Sequence, residues 1–144
     1  MEQKGLHIFE YQGTGVRRVV ESGDWFVGIK NYKLANDLRT LETLERHLLS
    51  DEVFILLEGE CVLVVADATE NLTVQATKME RDKVYCVTKG VWHTTILNEQ
   101  CKLILVENRN TAEENSEILG LSSELIKKIH AAITDKAIGG ICAS

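Results

Sequence analysis

Two separated stretches carry side chains suited to holding a metal ion. The first runs Glu45-Arg46-His47-Leu48-Leu49-Ser50-Asp51-Glu52-Val53-Phe54-Ile55-Leu56-Leu57-Glu58-Gly59, the second Lys89-Gly90-Val91-Trp92-His93-Thr94-Thr95-Ile96-Leu97-Asn98. Together they offer two imidazoles and at least one carboxylate beside strand-like runs. Two His and one carboxylate with open positions form a ligand set used by many mononuclear sites, non-haem iron among them. A lone His in an apolar strand is more often a satisfied core residue, so this reading depends on the elements that would position the two stretches.

The chain of 144 residues fits one domain, 1–144, with a core large enough to fold alone. Its formal charge of −6 argues against a nucleic-acid footprint, which needs a cationic stripe, and against anionic membranes. No apolar run reaches the length of a membrane span, and no charged start leads into an apolar stretch, so a cytoplasmic protein is expected. Of the four cysteines, Cys61, Cys86 and Cys101 sit in apolar runs as small buried hydrophobes, and Cys142 lies exposed in the small-residue tail. No CxxC pair occurs, which sets aside zinc-ribbon and thioredoxin-type chemistry.

The middle of the chain has β character. Val53 to Leu57 is a continuous apolar run, Glu58-Gly59-Glu60 interrupts it, and Cys61 to Ala66 resumes it. This predicts two strands joined by a tight turn in which Gly59 takes a positive φ. Leu72 to Met79 alternates, and Val84 to Val87, Val91 to Leu97 and Lys102 to Glu107 are further strands. Val16 to Val20 and Trp25 to Lys30 are predicted strands before them, and Asn31 to Arg39 a loop with some helical turn. Short, evenly spaced strands suggest a sandwich or barrel, with its core over about 16–108. Beyond it, Ile118, Leu121, Leu125, Ile126, Ile129 and Ile133 recur at helical spacing. They predict a helical segment over about 112–137, capped by Ser122 or Ser123, stopped at Gly139-Gly140 and laid on the sheet or on a partner subunit.

These motifs resemble the cupin superfamily. Its first motif places two His one residue apart, then Glu, then Gly. Here His47 takes the second His place, Glu52 the Glu place and Gly59 the Gly place, with Glu45 in the first His place. In the second motif Asp82 stands at the first Gly, Thr88 at the Pro, Gly90 at the second Gly and His93 at the His, while Asn98 falls one residue late. Because propensity alone would allow helix over Thr40 to His47, the strand Leu44 to His47 rests on this resemblance. The resemblance implies an all-β jelly-roll sandwich or barrel with a C-terminal α-helix. It also implies a divalent ion (Fe, Mn, Zn or Ni) held by His47, Glu52 and His93, and a homodimer. Glu45 is a fourth ligand, a proton acceptor beside the metal, or turned away. A degenerate pocket without metal is the remaining alternative.

Strand parity carries this further. Glu45 and His47 share a face, as do Glu52, Phe54 and Leu56, and as do Val91, His93, Thr95 and Leu97. If the ligands face inward, Phe54, Leu56, Val91 and Thr95 line the pocket with them. Trp92, of opposite parity, should face out of the barrel or into a subunit contact, and Arg46 should point away as well. Arg39 and Arg46 are the cations that could clamp a carboxylate, whereas Glu107-Asn108-Arg109-Asn110 reads as solvated turn residues. The expected function is metal-assisted isomerase, lyase or dioxygenase-type chemistry on a small polar metabolite. The alternative is a module that binds metal or metabolite without turnover.

Overall fold

The computed structural model describes residues 2–68, 71–111 and 114–135. The twelve strands described are β1 (Glu2–Gln3), β2 (Leu6–His7), β3 (Val16–Ser22), β4 (Trp25–Asn31), β5 (Thr43–His47), β6 (Glu52–Glu58), β7 (Cys61–Asp67), β8 (Thr73–Lys78), β9 (Tyr85–Val87), β10 (Trp92–Leu97), β11 (Lys102–Asn108) and β12 (Ser116–Gly120). They are followed by α1 (Ser123–Asp135). Two 3-10 turns, Leu34–Asn36 and Leu38–Thr40, fill the predicted loop after β4. Residues 139–140 and Cys142 lie outside the described residues.

Strands β12-β5-β10-β7-β8 form one five-stranded sheet and β3-β4-β11-β6-β9 the other, with every pairing antiparallel. The sheets face each other over a core that includes Phe26, Phe54, Leu56, Leu63, Leu103 and Leu105. The second core lies behind the first sheet, where Leu125, Ile129 and Ile133 of α1 pack on Leu44, Val62, Val64 and Ile96. Each of those three helix side chains is at most 2% exposed, and burial of this kind is worth about 1.5–3 kcal/mol apiece. Strand β7 therefore has both faces covered, which explains why Cys61 to Ala66 is apolar without alternation. Strand β6, covered on one face, alternates buried and half-buried residues instead.

Gly59 takes φ 71 as expected, and a Cβ there would come within 2.6 Å of the Cys101 backbone. The turn does not make a hairpin. It carries the chain from β6 in one sheet to β7 in the other. Asp82, in the first Gly place of the second motif, also has a left-handed backbone, with φ 71.

Two expectations about local structure are corrected. Ser116–Gly120 is a strand paired with β5, so the helix begins only at Ser123, where the Ser122 hydroxyl accepts from the Leu125 N–H at 3.1 Å. The helical spacing that began at Ile118 is coincidental there: Ile118 is 62% exposed on the added strand. Cys86 is exposed, unlike buried Cys61 and Cys101.

Candidate metal centre

His47 ends β5 and His93 is the second residue of β10, its neighbour in the sheet, where Glu45 pairs opposite His93. Glu52 opens β6 in the facing sheet. Its neighbour there is β11, paired Leu56 with Leu103 and Phe54 with Leu105. The next inward pair along that register is Glu52 and Glu107. One sheet thus supplies both imidazoles and Glu45, and the other supplies Glu52 and Glu107.

The groups converge. The Nε2 atoms of His47 and His93 each lie 2.9 Å from the same Glu52 oxygen, Oε1. Glu107 Oε1 is 3.0 Å from His47 Nε2, and Glu45 Oε1 is 3.7 Å from it. Ligand atoms of Glu45, His47, Glu52 and His93 all fall within 4.8 Å of one another. His47, Glu52 and His93 are buried, and the Glu107 side chain is 10% exposed.

The remote ring nitrogens are held as well. His93 Nδ1 lies 2.9 Å from the Val91 carbonyl oxygen. A carbonyl only accepts, so Nδ1 carries a proton and Nε2 is the ring nitrogen that would give a lone pair to an ion at the centre. His47 Nδ1 lies 2.8 Å from the Ser116 hydroxyl on β12. Fixing the far nitrogen in this way orients the near one, as partners of metal-bound His do.

Without a cation, protons must hold this cluster together. Burial opposes ionisation of Glu52, but hydrogen bonds from His47, His93 and Glu107 outweigh it and hold the carboxyl well below its usual range. Burial disfavours the charged form of His47, yet the Glu107 and Glu52 carboxyls push its pKa up to about 10. Burial, helped by the Glu52 charge, raises Glu107 to about 8. Three carboxyls crowded around two imidazoles are a poor arrangement for bare charges and a good one for a divalent ion, which would replace those protons. Nitrogen and oxygen donors without sulfur suit Fe, Mn, Zn or Ni.

A cavity of about 180 Å³ adjoins the centre, with Glu45, Glu52, Phe54, His93 and Thr95 in its wall. Leu56 lies instead in the barrel core, and Val91 packs against that core and contributes its carbonyl to His93. Neither is in the wall of this cavity: Leu56 lies one inward position beyond Phe54 on β6, farther from Glu52, and Val91 precedes β10.

No protein-family model matches the chain, and no curated protein matches it. Solved structures do. A cupin-2 domain protein from Shewanella frigidimarina is 25% identical, with a TM-score of 0.52 over 69% of this chain and 85% of that one. A protein from Bacillus halodurans gives a TM-score of 0.56 at 16% identity, covering 81% of this chain and 83% of its own. An RmlC-like cupin family protein with a double-stranded β-helix fold, from Methanocaldococcus jannaschii, gives 0.50 at 12% identity over 72% and 90%. This chain has the cupin fold.

Within the cupin fold, the motif positions fall where the spacing placed them: His47, Glu52 and His93 meet, and Glu45 lies at the edge of their cluster, its side chain 43% exposed. Asn98, one residue late, accepts the Glu60 N–H through its side chain at 3.0 Å and so braces the Gly59 turn. Trp92 faces out of the barrel and is covered by the helix-side core, with the Arg46 guanidinium 4.6 Å from its ring centre. Arg46 bonds Glu117, and Arg39 chelates Asp37, so neither guanidinium is turned to the cavity as a clamp.

Glu107 corrects the reading of its segment as solvated turn. It is the third inward residue of the alternation Leu103, Leu105, Glu107, and that parity was the signal for it. Ser116 was also missed, since nothing local marks Ser116–Gly120 as a strand.

Proposed function

We propose that this cupin-fold chain holds one divalent metal ion through His47, His93 and Glu52, with Glu107 and Glu45 completing the donor set, and acts on a small polar metabolite in the adjoining cavity. The observation that carries the reading is the convergence of two imidazole Nε2 atoms on one carboxylate oxygen at 2.9 Å. A bound ion would polarise a carbonyl or hydroxyl oxygen of the ligand. The chain's own residues do the rest. Val91 and Ser116 orient the rings, Phe54 keeps the inner wall apolar, and half-exposed Glu45 at the cavity is placed to take or return a proton.

A second reading has its own support. Glu107 Oε1 also lies 3.0 Å from His47 Nε2, so the donor set is large, and closed sites bind metal without turnover. On that reading the protein is a metal- or metabolite-binding module.

Metal analysis of protein purified without a nickel column is the deciding experiment. Stoichiometric metal in the wild type, lost in His93→Ala while circular dichroism is unchanged, supports the site. Absence of metal, with no thermal shift on adding Fe, Mn, Zn, Ni or Co, sinks it. A substrate screen on loaded protein then separates catalyst from binding module. We also propose a homodimer, with Trp25, Leu57 and Val84, all at least 42% exposed, on the face that a second copy would cover. Light scattering that gives a monomer mass would exclude it. Among the described residues no helix is long and apolar enough to cross a membrane.

A further inference from the structure

A lysine ammonium stands in the cavity wall with no carboxylate bound to it. Lys30 is on β4, and alternation turns it to the same side as Phe26 and Gly28, into the barrel. Its Nζ donates to Thr95 Oγ1 at 3.0 Å. Among the described residues it makes no ion pair within 4.0 Å. Lys33 lines the same cavity.

Thr95 is only 2% exposed, and its oxygen takes two donors: Lys30 Nζ, and the Asn36 amide Nδ2 at a longer 3.5 Å. With its lone pairs used in that way, the hydroxyl proton is left to donate. Asn36, 6% exposed and also in the wall, has its Oδ1 buried without a partner. The cavity therefore presents an ammonium and a hydroxyl as donors, with one amide oxygen as acceptor. With a divalent ion held by Glu45, Glu52 and Glu107, one negative charge is left against the two ammoniums of Lys30 and Lys33, so the cavity keeps a net positive charge. Desolvation lowers the Lys30 pKa, a cost that an anionic partner would offset.

We infer that the cavity takes a small organic carboxylate, bound by Lys30 and the Thr95 hydroxyl, with the Asn36 oxygen accepting from a hydroxyl on the same molecule. The inference rests on the reading of the cavity as a metabolite site beside the metal and adds the chemical class of the ligand. Arg39 and Arg46 are turned to Asp37 and Glu117, so among the described residues Lys30 and Lys33 are the cations in the cavity wall, and Lys30 is the one joined to Thr95.

The test is isothermal titration of metal-loaded protein with lactate and with its uncharged isostere lactamide, metal content being measured on the same samples. Lactate should bind and lactamide should bind at least about tenfold more weakly, the effect of losing one charge-assisted hydrogen bond. Lys30→Met should retain its metal and lose about tenfold or more in lactate affinity. Thr95→Val, which keeps the volume, should lose severalfold and serves if Lys30→Met does not fold. Equal binding of acid and amide, no binding of lactate to loaded wild type, or unchanged lactate affinity in the folded variants would each overturn the anion proposal while leaving the metal site standing. A wild type that takes up no metal would instead fail the underlying reading.

Discussion

The Oε1 of Glu107 on β11 lies 3.0 Å from Nε2 of His47 on β5, so a carboxylate of one sheet closes on an imidazole of the other. Nothing in the chain near either residue announces the other. The contact makes Glu107 a candidate member of the metal cluster rather than a turn residue. Glu107→Gln keeps the shape and removes the charge. It should weaken metal binding by about 10–100-fold, with a small change in melting temperature. A metal titration with a competing chelator reads this directly, and unchanged affinity would return Glu107 to a purely structural role.

Ser116 holds the far nitrogen of His47 at 2.8 Å. In Ser116→Ala the ring loses that restraint. Metal affinity is expected to fall by about tenfold or more, and stability by about 1 kcal/mol. The same chelator competition, run beside a urea melt, separates the two effects. A variant equal to wild type in both would show that β12 only covers β5.

Metal removal should invert the pH dependence of stability. In the metal-free cluster the Glu107 pKa rises from 4.5 to about 8 and the His47 pKa from 6.5 to about 10. Both folded-state values lie above the unfolded ones, so the folded state binds these protons more tightly. The stability they contribute is complete below the unfolded pKa values and is lost as pH rises toward 8 and then 10. The metal-free protein should therefore melt at lower temperature at pH 9 than at pH 6. Metal competes with the same protons, so its affinity should grow with pH and saturation should restore the alkaline melting temperature. Calorimetry of both forms across that range checks the sign; a metal-free protein that gains stability toward pH 9 contradicts it.

Ile129 of α1 is fully buried against the β5-β10-β7 side of the sandwich. Ile129→Ala should cost about 2–5 kcal/mol. At low temperature the variant should still take up metal, because the helix packs behind the sheet and the site lies in front of it. Loss of metal in a folded variant would mean that the helix supports the site through the sheet.

Asp37, between the two 3-10 turns after β4, is bound through both carboxylate oxygens. Asp37 accepts from Tyr32 Oη at 2.6 Å and from Arg39 Nη2 at 2.7 Å, and the Arg39 bonds hold its carboxyl well below the ordinary range. Its folded pKa is depressed, so its contribution is present above the unfolded value and is lost as pH falls below about 4. Asp37→Asn should flatten the acid limb of the stability curve, measured by denaturant melts between pH 5 and pH 2. An unchanged limb would mean that the exposed guanidinium contributes nothing there.

The local sequence determined which segments became strands wherever one strand's own pattern of burial decided it. Alternation marked β8, the two-sided apolar run marked β7, and the spacing of His47, Glu52, Gly59 and His93 located the centre of the site. A residue two positions along a strand must share its face, and that rule operates without knowledge of the rest of the chain. Tertiary structure alone decided three things: that Ser116–Gly120 pairs with β5 instead of extending a helix, that β6 and β7 go to different sheets, and that the strand faces on which alternation puts Glu107 and Lys30 meet the face of the histidines. Each depends on hydrogen bonding and burial between strands far apart in sequence, and pairing of that kind leaves no periodic trace in the segment that undergoes it.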